Sequence, residues 1–161
     1  MAGAGSGRVS AGLLLYRWSD GGLEVLLGHM GGPFWANKQA GAWTVPKGEH
    51  GPDEDARTAA VREFTEEVGA PPPDGADLPL GEIRQRSGKR VTAWARAGDL
   101  DPRTAVSNLV EVEWPPRSGR RIVVPELDEV RWVPVDEARG LVVRGQEAFL
   151  DRLVEALGPG G

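Results

Sequence analysis

Between Trp43 and Ala70 the chain reads WTVPKGEHGPDEDARTAAVREFTEEVGA, and no other stretch limits the fold as tightly. Pro52 followed by acids reads as a helix start, and Gly69 with Pro71 behind it reads as a stop. The pattern predicts a helix over Asp53 to Val68, with Asp53 as the N-cap and Glu54 and Asp55 in a first turn that favours negative charge. Ala56, Ala60, Phe64 and Val68 recur every four residues and make one apolar stripe. Glu63, Glu66 and Glu67 stand at i, i+3 and i+4 on a neighbouring face. Three carboxylates held together beside a buried stripe repel one another and lose part of their hydration, and a hard divalent cation with its demand for oxygen ligands resolves the conflict. Arg62, four residues before Glu66, is placed to brace a carboxylate. The plain alternative is a solvated acidic face with an Arg–Glu pair. Gly48, Glu54 and Gly69 at fixed offsets from the triplet argue against it.

The remaining composition excludes several classes. The 161 residues suit one compact domain, and a hydrophobic share of 40% with 27% charged residues is globular. A net charge of −5 gives no strong nucleic-acid signal. Without cysteine there is no disulfide framework and no thiolate metal site. No apolar run reaches the length of a membrane span, and the start MAGAGSGRVS lacks the apolar centre of a signal peptide, so the expected location is cytoplasmic. Residues 1 to 7 are small and Gly-rich and are expected to be disordered, with one domain over residues 8 to 158.

Strands are expected at Val9 to Trp18 and Leu23 to His29, joined by the turn SDGG. A long loop, Met30 to Trp43, follows. After the helix and a Pro-rich connector come strands at Leu80 to Arg86, Lys89 to Arg96, Ser107 to Trp114 and Glu129 to Val135, with Pro115 to Arg121 as a turn. Asp136 to Leu141 reads as a helical turn. Gln146 to Leu157 reads as an amphipathic helix burying Phe149, Leu150, Val154 and Leu157. The expected class is α+β, a mixed sheet between helices.

Written as G-x5-E-x7-R-E-[apolar]-x-E-E-x-G-[apolar], the segment Gly48 to Ala70 resembles the Nudix box, with Ala70 smaller than the aliphatic residue usual there. The resemblance implies an α/β/α sandwich and a Mg2+-dependent hydrolase (Mn2+ being the substitute ion) that cuts a nucleoside diphosphate from another group. It implies metal ligation by Glu63, Glu66 and Glu67, with the carbonyl of Lys47 or Gly48 as a backbone ligand. The catalytic candidates are Glu63, Glu126 and Arg62. Glu126 lies six residues before Trp132, a spacing that resembles the external glutamate of diadenosine tetraphosphate hydrolases, and Glu129 is its rival for orienting water. Gly48, Glu54 and Gly69 fall in the outer shell, Gly48 by permitting a backbone conformation that other residues resist.

Trp43 to Gly48 also reads W-x-x-P-K-G, which resembles the subgroup acting on dinucleoside polyphosphates, nucleoside triphosphates and diphosphoinositol polyphosphates. Lys47 is a substrate-binding candidate as a point charge. Trp35, Trp114 and Tyr16 are candidates to stack on a base. RSGKR and RSGRR put Arg86 and Arg117 at two basic hairpin tips suited to extra phosphates. The leading function is hydrolysis of a phosphoanhydride in a dinucleoside polyphosphate or (d)NTP. The alternatives are a diphosphoinositol polyphosphate or capped-RNA hydrolase, and a non-catalytic nucleotide-binding regulator. A homodimer would use the 30 to 43 loop as contact or lid.

Overall fold

The most apolar stretch of the chain, AGLLLY, lies in the centre of the molecule. In a computed structural model that describes residues 9–158, strand β1 (Val9–Ser19) runs through a seven-stranded mixed sheet. Its residues are buried from Ser10 to Leu15, as a strand covered on both faces requires. Strand β2 (Gly22–Met30) returns antiparallel through a tight turn, with Ser19 opposite Gly22 and Tyr16 opposite Val25. Beyond that register the hairpin splays, and the segment after the long loop fills the fork. Strand β3 (Trp43–Thr44) pairs with β2, and strand β4 (Lys47–Glu49) pairs with β1, Gly48 opposite Ala11. Lys47 is part of a strand because the opened hairpin offers an unpaired edge of β1 to it, with Lys47 opposite Gly12.

Helix α1 (Ala56–Val68) starts later than predicted. Asp55, not Asp53, is the N-cap, and its carboxylate accepts the Thr58 N–H at 3.1 Å. Glu54 therefore lies in the preceding turn, not in the first turn of the helix. Gly69 ends the helix as expected, with φ 89° and its N–H on the Thr65 carbonyl.

Strands β5 (Asp77–Arg84) and β6 (Arg90–Ala97) form a second hairpin, and β6 lies parallel to β1. Strands β7 (Leu109–Glu113) and β8 (Arg121–Pro125) make a separate two-stranded ribbon. The sequence reading missed β8, whose short run after RSGRR has too little length for a periodic signal. Strand β9 (Leu127–Pro134) pairs with the outer edge of β2. Two further helices follow, α2 (Val135–Leu141) and α3 (Glu147–Leu157).

Ala11, Leu13 and Leu15 pack on one face of the sheet against Ala59, Ala60, Phe64 and Val68 of α1. Leu14, Val25, Leu27 and Trp43 pack on the other against Ala138 of α2 and Phe149, Leu150 and Leu153 of α3. Leu153 takes the buried place expected of Val154, which stays exposed. The result is the expected α+β sandwich with helices on both faces. No helix among the described residues is long and apolar enough to cross a membrane. The expectation of a disordered 1 to 7 segment lies outside the described residues.

Candidate active site

Burying the apolar stripe of α1 forces its acidic face against β4. Glu67 is 1% exposed and Glu63 is 8% exposed, while Glu66 faces solvent. The Lys47 N–H donates to Glu67 Oε1 at 3.1 Å, and Glu67 Oε2 is buried with no hydrogen-bond partner. Burial, reinforced by the charge of Glu126, pushes the Glu67 carboxyl up to about 9 against the pull of Lys47. Burial also raises Glu63, with Arg62 opposing. The Lys47 ammonium is pushed down by burial and then by Lys89.

The Glu63 carboxylate lies directly over Gly48, so that a Cβ there would collide with it. Gly48 does not have a positive φ. Its role is close approach, which corrects the expectation of a special backbone conformation. Gly69 has both reasons, a left-handed φ and the Val106 backbone against its Cα.

Arg62 is the hub of the acidic face. Its Nε and Nη2 each donate to Glu54 at 2.8 Å, and its Nη1 donates to Glu63 at 2.8 Å and to Glu66 at 3.2 Å. Glu54 thus holds the guanidinium in a two-bonded fork, and that bond keeps the Glu54 carboxyl below its ordinary range. Arg62 turns Glu63 and Glu66 toward itself. No three acidic or histidine side chains among the described residues form a closed cation cage in this arrangement. The donor chemistry nevertheless fits a hard cation: all the groups are oxygens, and Glu67 Oε2 is buried without a partner.

Glu126 reaches this cluster through the end of α1. The last carbonyls of a helix have no partner within it. Here the Glu66 and Val68 carbonyls accept the N–H groups of Asn108 and Val106 at 3.0 and 2.9 Å. The Asn108 carbonyl in turn accepts the Glu126 N–H at 2.9 Å, and Asn108 Nδ2 donates to Glu126 Oε1 at 3.0 Å. Ser107 Oγ accepts the Leu127 N–H at 3.0 Å. Sequence reasoning missed Asn108 and Ser107, since nothing local marks a residue that bonds 18 positions away.

Glu126, Glu67 and Lys47 line a cleft of ≈ 190 Å³ together with Trp35, Met30, Thr44 and Val110. Of the three aromatic candidates Trp35 lines this cleft. Tyr16 packs against the core, and Trp114 stands at the outer end of the β7–β8 ribbon. A groove of ≈ 420 Å³ meets the cleft at Glu67 and Leu127 and runs past Arg103, Asp128, Glu129 and Arg131. Glu129 is paired with Arg131 at 3.0 Å, outside the cleft that holds Glu126.

The first basic tip comes near the cluster through Lys89, whose Nζ lies 3.3 Å from Glu49 and whose charge acts on Lys47. Arg86 is exposed on the same tip. Arg117 is not brought to the cleft. It caps the far end of a ribbon with five register pairs, roughly 15 Å from Glu126 at about 3.3 Å per residue.

The family model for the NUDIX domain matches residues 7–153. The chain belongs to the NUDIX domain family. Its box carboxylates are all present, and it is a pyrophosphohydrolase of that family. Members of the family use divalent metal ions.

The fold is similar to that of an Ap4A hydrolase from C. elegans in a binary complex, at 21% identity over 92% of this chain and 97% of that one, TM-score 0.64. It is also similar to the NUDIX domain of Shewanella oneidensis NrtR complexed with ADP ribose, at 15% identity over 93% and 88%, TM-score 0.64. A mutT/nudix family protein from Listeria innocua is similar at 20% identity over 94% of each chain, TM-score 0.60. At these identities the likeness shows the fold. No curated protein matches the chain.

Proposed function

We propose that this NUDIX enzyme is a Mg2+-dependent hydrolase of a phosphoanhydride bond in a nucleoside polyphosphate, a dinucleoside polyphosphate or a (d)NTP. The observation that carries the reading is the shared cleft: the buried Glu67, together with Glu126 and Lys47, lines the same small space as Trp35. Glu63, Glu66 and Glu67 would hold the cation. When bound, it supplies charge neutralisation at the phosphoryl oxygens and lowers the pKa of a coordinated water.

The chain's own residues do the rest. Glu126, fixed by Asn108, is the carboxylate in the cleft placed to take a proton from the attacking water. Glu129 is less suited, being paired to Arg131. Arg62 is a positioning residue: it holds Glu63 and Glu66 and is itself held by Glu54. The Lys89 tip, with Arg86 exposed beside it, offers positive charge to the polyphosphate, and Lys47 lines the cleft. Trp35 offers a flat apolar face to the base.

The test is release of phosphate and nucleotide from diadenosine tetraphosphate, ATP, 8-oxo-dGTP, ADP-ribose and a diphosphoinositol phosphate, with Mg2+, for the native protein, Glu67→Gln and Glu126→Gln. Turnover of a nucleoside polyphosphate that falls at least a hundredfold in both variants supports the reading. Turnover of ADP-ribose alone, or nucleotide binding with no turnover, overturns it.

A further inference from the structure

His29 takes no part in the carboxylate cluster, yet it joins both walls of the cleft. It lies near the end of β2, 4% exposed, with its ring edge against the Trp43 indole, centroids 5.1 Å apart and planes at 69°. Nδ1 lies 2.8 Å from Oδ1 of Asp128 on β9, and Nε2 lies 2.7 Å from the Lys38 carbonyl oxygen. A carbonyl has no proton to give, so Nε2 donates to Lys38. Nδ1 meets a carboxylate oxygen of Asp128, an acceptor, and so donates as well. Two short bonds to two acceptors require a ring that carries a proton on each nitrogen.

The two acceptors belong to opposite walls. Lys38 closes the turn on which Trp35 stands: its N–H donates to the Trp35 carbonyl at 2.9 Å and its ammonium donates to the Phe34 carbonyl at 2.7 Å. Asp128 comes two residues after Glu126, whose carbonyl accepts the Gly31 N–H at 2.9 Å. We infer that His29, as an imidazolium, is a positioning residue that clamps the Trp35 turn to the Glu126 segment and so sets the width of the substrate cleft. The inference rests on the cleft being the substrate site.

The charged groups around the ring are few. From β9 come Asp128, Glu129 opposite His29 in register, and Arg131, whose guanidinium lies 4.7 Å over the Trp43 ring and 3.0 Å from Glu129. From the loop comes Lys38, but its ammonium is turned onto the Phe34 ring at 3.8 Å. Strand β3 contributes Trp43 and Thr44 and no charge. When the imidazolium loses a proton, one bond of the clamp goes, and the wall carrying Trp35 is released. Substrate binding then weakens while Glu63, Glu66, Glu67 and Arg62 keep their contacts, so KM moves and kcat does not.

The experiment has two arms on the Mg2+-loaded protein. In the first, 15N NMR of the imidazole between pH 5 and 9 reads the protonation of His29 directly, alongside KM and kcat for the substrate that the panel above identifies. The expected result is a doubly protonated ring at the acid end and a KM that rises along the same titration curve, with kcat not following that curve. In the second, His29→Phe is expected to raise KM by about tenfold at the acid end, the loss of a hydrogen bond to a charged partner, with kcat within about threefold. Asp128→Asn, whose amide can donate to a neutral ring, is expected to keep KM low at alkaline pH.

A ring with a single proton through the whole range overturns the inference. So does an equal fall of kcat without change in KM in His29→Phe, or a KM–pH curve for Asp128→Asn that follows the native one. If no substrate in the panel turns over, the proposed function has failed. The clamp is then judged by the NMR arm together with nucleotide affinity from tryptophan fluorescence, which is expected to drop along the same titration.

Discussion

Glu67 ties the site to the stability of the fold. Its carboxyl titrates near 9 in the folded chain against 4.5 for the free group, because burial and the charge of Glu126 both disfavour the anion. A raised acid has the following sign. Below pH 4.5 both folded and unfolded chains hold the proton, and the group costs nothing. As pH rises from there toward 9 the unfolded chain releases the proton and the folded chain keeps it, so stability is lost steadily. At about 1.4 kcal/mol per pH unit, roughly 3 kcal/mol has gone by pH 7, a large part of the stability of a small domain. Glu67→Gln keeps the shape and accepts the same Lys47 N–H, but it has no proton to lose.

The assay is urea unfolding in EDTA at pH 5 and pH 7 for both proteins. The native protein is expected to lose about 2–3 kcal/mol more than Glu67→Gln over that interval. Saturating Mg2+ at pH 7 is expected to restore the native protein and not the variant, since a ligand that binds only the folded state adds stability. Parallel losses in the two proteins between pH 5 and 7 would refute the reasoning, because the strained group would then be elsewhere.

Other perturbations read other parts of the site. Metal binding that displaces the Glu67 proton makes Mg2+ affinity rise with pH, by up to about tenfold per unit between pH 5 and 8, measurable by isothermal titration in two buffers of different ionisation enthalpy. Glu54→Gln frees one side of the Arg62 fork and is expected to lower kcat by about 10–100-fold with Tm little changed, as seen by steady-state kinetics beside a thermal melt. Gly48→Ala drives a methyl group into the Glu63 carboxylate, and both activity and Tm are expected to fall. Asp77→Ala removes the carboxylate to which the buried Arg96 donates at 2.7 and 3.1 Å. It is expected to cost about 3–5 kcal/mol in urea unfolding with kcat unaffected.

The order of elements was legible wherever a signal is local. AGLLLY is uniformly apolar and became the central strand. The fourfold spacing of Ala56, Ala60, Phe64 and Val68 became the buried face of α1, and that burial fixed which side of the helix Glu63 and Glu67 occupy. Gly69 stopped the helix because its φ and its missing side chain are both needed there. The carboxylate triplet and its arginine are encoded in the spacing of one helix, so the chain's own sequence announces them.

What the sequence left undecided depends on contacts between distant segments. The sequence pattern put the cap at Asp53, and the turn from Gly51 to Glu54 moved it to Asp55. Spacing before Trp132 favours Glu126 over Glu129, but spacing alone puts neither beside the helix. Free carbonyls at the end of α1 captured Asn108, Asn108 captured Glu126, and Arg131 drew off Glu129. Arg86 and Arg117 sit in near-identical pentapeptides, yet one hairpin belongs to the main sheet beside β4 and the other projects away from it. Local periodicity determined the helix and its charges. The pairing of strand edges and helix ends, which no window of sequence contains, decided which of the remaining polar groups stand beside them.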